Sequence, residues 1–181
     1  LPRLRPRNDN FVILSDPCRT PTSVGEWNER TLHLTMKIEI KIIQKEDPLV
    51  KMCAAVVQKH SWGLDYPVKV IDEMRHSEYL IAAVDGKKLI GCASMGRGAS
   101  PDKIDNDKLW FGNALILQKY RRFGIFKKMY QKCLTYINKK PGPVFACTEN
   151  LIMVSFLLKN GWKYYRTTKD ESGGICLVFK K

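Results

Sequence analysis

The sequence has no apolar run long enough to cross a membrane. Its longest nearly apolar stretch, Leu151 to Leu158, is interrupted by Ser155 and falls well short of the roughly 18 residues that a spanning helix needs. Metal-binding patterns are missing as well. The six cysteines (Cys18, Cys53, Cys92, Cys133, Cys147, Cys176) form no Cys-x-x-Cys pair, and His33, His60 and His76 show no ligand spacing, so no metal site is expected. Most of the cysteines sit in apolar runs, where a free thiol behaves as a small hydrophobe, and a reducing cytoplasmic setting is expected. Acids are in short supply: 18 Asp plus Glu against 31 Lys plus Arg give a formal net charge of +13. An anionic partner follows from that balance, and a nucleic acid, an acidic membrane or a polyphosphate-bearing small molecule would each suit it.

The chain has 181 residues, 44% hydrophobic and 10% aromatic, which is enough for one domain with its own core. Collagen-like, low-complexity and wholly disordered classes are excluded. Residues 1–35 carry Pro2, Pro6, Pro17 and Pro21, scattered Arg and Asn, and no sustained period of 2 or 3.6. Arg3, Arg5, Arg7, Arg19 and Arg30 nearly balance Asp9, Asp16, Glu26 and Glu29, so the charge excess belongs to the later residues. This segment fits neither a secretory leader nor an organellar transit peptide. It is expected to be an irregular N-terminal extension, not native to the domain, with Met36 as the natural start of a domain over residues 36–181.

From Met36 the pattern becomes regular. Ile38, Ile40 and Ile42 alternate with charged residues as one half-buried strand face. Asp47-Pro48 opens a helix with Leu49, Met52, Cys53, Val56 and Val57 on one side, and Pro67 opens a shorter helix with Val68, Ile71 and Met74 inward. Tyr79 to Val84 and Lys88 to Met95 flank Asp85-Gly86 as a hairpin. After a polar loop, Gly96 to Asp107, come a central strand (Leu109 to Leu117), a helix (about Gly124 to Lys139) and a short strand (Val144 to Cys147). The helix is striped by Phe126, Met129, Tyr130, Cys133 and Ile137. An apolar helix from Asn150 to Lys159 follows, and strands at Trp162 to Thr167 and Ile175 to Phe179 close the chain around the Glu171 to Gly174 turn. The predicted class is α/β, a mixed sheet in the order β-α-α-β-β-β-α-β-α-β-β.

The chemistry concentrates where the central strand feeds the basic helix. Between Gln118 and Lys140 stand eight basic residues (Lys119, Arg121, Arg122, Lys127, Lys128, Lys132, Lys139, Lys140) and no acid. A helix start presents unpaired N–H groups and the positive end of its dipole, so this junction reads as an anion site. Here the sequence resembles the GNAT superfamily of CoA-dependent N-acetyltransferases. Its phosphate turn, Gln/Arg-x-x-Gly-x-Gly/Ala, corresponds to Arg121-Arg122-Phe123-Gly124-Ile125-Phe126, with Phe126 in place of the last small residue. A helix-start Asn followed after eleven and twelve residues by Gly and an aromatic is matched by Asn150, Gly161 and Trp162.

The resemblance implies a pair of neighbouring strands that splay, Leu109 to Leu117 and Val144 to Cys147, with pantetheine in the opening. It assigns acetyl-CoA to the backbone of Leu115, Ile116 and Leu117, to the turn Arg121, Arg122, Phe123, Gly124, Ile125, Phe126 and Lys127, and to Asn150, which also suits a plain helix cap. Many members carry a general-acid Tyr where this chain has Leu157, and no carboxylate lies between Leu109 and Leu117, where a base often sits. Glu149 and Asn113 are the candidate catalytic residues. Glu149, Asp105 and Asp107 acting through water, or solvent itself, are the open choices of base, and Cys147 offers an acyl-cysteine route.

Three functions follow for testing: acetyl transfer to a primary amine of a small molecule or protein, CoA binding without turnover, and nucleic-acid binding through Arg121 to Lys140. The last is the weakest, because Phe126 and Tyr130 fall on the buried stripe and leave few aromatics for stacking. His60, Trp62, Tyr66 and Arg97 are candidate linings for an acceptor pocket, and a homodimer is compatible with the sequence.

Overall fold

The computed structural model of the chain describes residues 37–65 and 68–181. The expected extension over 1–35 and the expected helix start at Pro67 lie outside these described residues.

A seven-stranded sheet in the order β1-β2-β3-β4-β5-β7-β6 organises the molecule. Its strands are β1 (Ile38–Ile43), β2 (Tyr79–Asp85), β3 (Lys88–Gly96), β4 (Leu109–Ile116), β5 (Val144–Thr148), β6 (Lys163–Lys169) and β7 (Ile175–Lys180). Every neighbouring pair is antiparallel except β4 with β5, which run parallel. The helices are α1 (Pro48–Val57), α2 (Val70–His76), α3 (Ile125–Ile137) and α4 (Leu151–Lys159). Helices α1 and α2 cover one face of the sheet, and α3 and α4 the other. Among the described residues no helix is long and apolar enough to cross a membrane.

Local chemistry sets most boundaries. Asp47 Oδ1 accepts from Leu49 N at 2.8 Å and caps α1, with Pro48 at the first helical position. The expected stripe of α3 is buried in full, and Phe111, Phe126, Tyr130, Phe156 and Trp162 form an aromatic core beneath it. Trp162 Nε1 donates to Tyr130 Oη, which satisfies both polar tips inside that core. Gly91 is required where β3 meets β4, because a Cβ there would stand 2.7 Å from the Leu115 carbonyl oxygen.

Several expectations shift by a residue or two. Ile42 is exposed, since α3 packs over Ile38 and Ile40 only, whereas Ile43 turns to the other face and is buried beside α1. In α1 the buried set is Val50, Cys53, Ala54 and Val57, so Met52 faces solvent. Both sets have helical spacing, and docking on the sheet selects between them. In α2 Val70 and Met74 are buried. Trp162 precedes β6 as a core residue instead of opening the strand.

Candidate functional site

Strands β4 and β5 pair only at Leu109 with Val144 and Trp110 with Phe145. Beyond Trp110 the two strands separate, so the β4 backbone from Phe111 to Ile116 keeps β3 on one side and an open edge on the other. This is the expected splay. At the same place β4 carries a bulge: Cys92 faces Leu115 and Ser94 faces Gly112, so β4 has one extra residue opposite β3. Asn113 takes a left-handed φ of 52° in that bulge. The extra residue turns its side chain toward the α1/α2 face, where Nδ2 donates to Ser94 Oγ at 3.0 Å and to Glu73 Oε2 at 3.2 Å. Asn113 Oδ1 is buried with no hydrogen-bond partner among the described residues.

Following β4, the chain makes one 3₁₀ turn at Gln118–Tyr120 and enters the basic turn. Tyr120 is buried and Arg121 Nε donates to the Ile116 carbonyl at 3.1 Å, which ties the turn back onto the strand. Arg122 and Gly124 both adopt left-handed backbone, with φ of 71° and 69°. These two left-handed residues reverse the backbone immediately ahead of the α3 N-terminus, whose leading N–H groups have no partner within the helix. Arg122, Gly124, Lys127 and Lys128 are exposed around it. A Cβ on Gly124 or Gly112 would meet nothing within 4 Å, so space lies open both at the turn and beside the bulge. Phe126 does not intrude: it is buried, 4.9 Å from the Phe156 ring centroid. The side chains of Leu115 and Ile116 are buried too, so what they offer at the open edge is backbone.

The remaining candidates divide. Asn150 caps α4, its Oδ1 accepting from Ile152 N at 2.9 Å and Met153 N at 3.1 Å. Leu157 is fully buried in the core, which leaves no proton donor at that position. Glu149 is exposed at the end of β5, and no hydrogen bond joins it to Asn113. Asp105 and Asp107 are engaged elsewhere. Asp105 accepts from Arg166 at 2.8 Å, and the Lys108 ammonium holds the Asp107 carboxyl below its ordinary value. Cys147 is exposed as a residue on β5, and a hydrogen bond with Cys176, then burial, push its thiol well up. Arg97 is paired with Glu78 at 2.7 Å.

Glu73 is the residue the sequence reading missed. It lies on α2 between the buried Val70 and Met74, and its spacing from them is the signal that places it on the inner side of the helix. Burial, the largest cause, raises its carboxyl above the ordinary value against the hydrogen bond from Asn113.

Solved structures share this fold. The chain superposes on a Desulfovibrio desulfuricans protein assigned to the GNAT family with TM-score 0.59 at 10% identity, covering 80% of this chain and 98% of that one. The chain has the GNAT fold. A second GNAT-fold neighbour is an aminoglycoside 6'-N-acetyltransferase complexed with coenzyme A, with TM-score 0.59 and 13% identity over 79% of this chain and 96% of that chain. A third is a ribosomal-protein-alanine N-acetyltransferase from Brucella melitensis, with TM-score 0.57 and 15% identity over 79% of this chain and 98% of that chain. No protein-family model and no curated protein matches the sequence. Along the chain the open β4 edge holds the bulge at Asn113 and leads directly into the basic turn before α3.

Proposed function

We propose that the protein transfers an acetyl group from acetyl-CoA to a primary amine by direct attack. The observation that carries this reading is the β4–β5 opening, continuous with a basic, doubly reversed turn at a helix start. In this reading the pantetheine arm lies along the backbone of Leu115, Ile116 and Leu117 like an added strand. The turn from Arg121 through Lys127 holds the pyrophosphate with backbone N–H groups and with the charges of Arg122 and Lys127. Asn150 bonds the arm from the β5 side while capping α4. A β4 N–H at the bulge polarises the thioester carbonyl, so the developing oxyanion meets a fixed donor. Holding amine and thioester in register supplies much of the rate, which suits a site with few ionisable side chains. The GNAT-fold neighbour bound to coenzyme A supports the choice of donor.

The test is calorimetric titration of the chain with acetyl-CoA, beside a variant carrying Arg122→Glu and Lys127→Glu, followed by thiol-release assays on an amine panel. Binding that the charge reversal abolishes, with CoA released in the presence of an amine, is the expected result. Absence of binding in the unaltered chain would refute the reading. The buried Leu157 favours a second reading, a CoA-binding domain without turnover, which predicts the same binding isotherm and no thiol release with any amine.

A further inference from the structure

We propose, resting on the acetyl-transfer reading above, that Glu73 is a catalytic residue: it binds the acceptor as an ammonium ion beside the β4 bulge and takes one proton from it. Three observations converge on this position. First, Glu73 is a half-buried carboxylate with no cation within ion-pair distance among the described residues, although Lys and Arg dominate the chain. Its Oε2 accepts from Asn113 Nδ2, and no group among the described residues bonds to Oε1. Carboxylates removed from water are ordinarily paired, so this one has room for a positive partner from outside. Second, the neighbouring Asn113 Oδ1 is buried without a donor among the described residues, so the polar unit around Glu73 is short of donors. A half-buried carboxylate oxygen short of a donor suits an ammonium, which brings three N–H groups and no acceptor. Third, the bulge that turns Asn113 toward Glu73 is part of the β4 edge left open by β5, so the carboxylate is one side chain removed from the strand that borders the opening.

The groups facing Glu73 are Asn113 from β4, Ser94 through Asn113 from β3, Cys147 from β5 and Glu171 from the turn between β6 and β7. None of these is cationic. Glu171 adds like charge that disfavours an ionised Glu73 standing alone and favours a bound cation. The acceptor class is therefore an amine that arrives protonated, such as an alkylamine, a polyamine or a lysine side chain. In the step, R–NH3⁺ gives one proton to Glu73 and the freed lone pair attacks the thioester carbon. The C–N bond forms, the C–S bond breaks, and the second nitrogen proton passes to the departing thiolate. Glu73 then returns its proton to solvent, so the products are the amide, CoA–SH and one proton.

The test measures thiol release by the full chain over pH 5 to 9 with spermidine, n-butylamine and lysine methyl ester as cationic probes, and with 4-methoxyaniline as a neutral one. Glu73→Gln is expected to lower kcat/KM for the cationic probes about 100-fold, the scale of general base catalysis. It should also flatten the acid limb of the pH profile, leave the acetyl-CoA affinity within about twofold, and affect the aniline far less. Activity within about threefold with an unmoved acid limb would overturn the assignment while leaving the transferase intact. No thiol release by the unaltered protein with any probe would overturn the transferase reading and this inference together. A measurement that needs no variant is the carboxyl ¹³C shift of Glu73 in labelled protein, which should move on saturation with spermidine. An unmoved shift refutes the ammonium site.

Discussion

Replacing Phe126 with Ala tests whether this residue belongs to the core or to the phosphate turn, because the two roles predict opposite outcomes. Phe126 occupies the sequence position where the related turn carries a small residue, and in the structure its side chain is 2% exposed. Its ring meets Phe156 edge-on at 4.9 Å and lies offset from Tyr130 at 6.3 Å. Removing a buried aromatic forfeits about 1.5–3 kcal/mol of transfer free energy. Two aromatic pairs add about 0.5–1.5 kcal/mol each, and a residual cavity adds to the loss. The expected total is about 3–5 kcal/mol, the usual range for Phe→Ala in a core. For a domain of this size that lowers Tm by on the order of 10 °C. Urea unfolding followed by fluorescence should show a lower midpoint at unchanged slope, because the surface exposed on unfolding barely alters. Acetyl-CoA affinity, measured at a temperature where the variant stays folded, should change by less than about threefold, an allowance of under 1 kcal/mol. A stability loss below 1 kcal/mol together with tighter binding would show instead that the ring obstructs the pyrophosphate, and the placement of Phe126 in the core would be wrong.

Two other predictions separate roles that share a residue or depend on pH. Asn150→Ala removes the α4 cap and should cost about 1 kcal/mol in urea unfolding. Asn150→Asp keeps an accepting oxygen for Ile152 N and Met153 N but loses the amide donor, so it should retain stability while weakening acetyl-CoA in calorimetry. If both variants bind as the parent does, Asn150 is a cap only. Arg166 clamps the loop between β3 and β4 to β6 through Asp102 and Asp105, and the guanidinium holds the Asp102 carboxyl far below its ordinary value. A lowered folded-state pKa means that the stability it contributes is present above the ordinary carboxylate range. It is lost as pH falls through the folded value, which lies in strong acid. Asp102→Asn should therefore destabilise the protein at pH 7 and by progressively less in acid unfolding below pH 4. An equal penalty at every pH would rule the ion pair out as the cause.

How much of this was legible in the sequence depended on how local the cause was. The α3 stripe, the Asp47 cap, the Asn150 cap and the β2–β3 hairpin each rest on side chains within a few residues of one another, and each appears where its pattern places it. The basic turn was legible for the same reason, since Arg121 through Lys127 are contiguous and the helix start that gives them meaning follows at once. The register of apolar faces was less so. Val50, Cys53, Ala54 and Val57 and the expected set around Met52 are both helical stripes, and only the sheet beneath α1 distinguishes them. The alternation of Ile38, Ile40 and Ile42 likewise outruns the helix that covers it.

The amino-acid sequence by itself determined the element order, the apolar stripe of α3 and the concentration of positive charge ahead of that helix, because periodicity, caps and contiguous charge are short-range properties. Tertiary structure alone decided the extra residue that turns Asn113 off its alternation and the meeting of Asn113 with Glu73 across 40 positions of chain. Bulges depend on which backbone groups find partners across the sheet, and a carboxylate's charge preference depends on what surrounds it after folding. Neither is written in the spacing of the residues concerned.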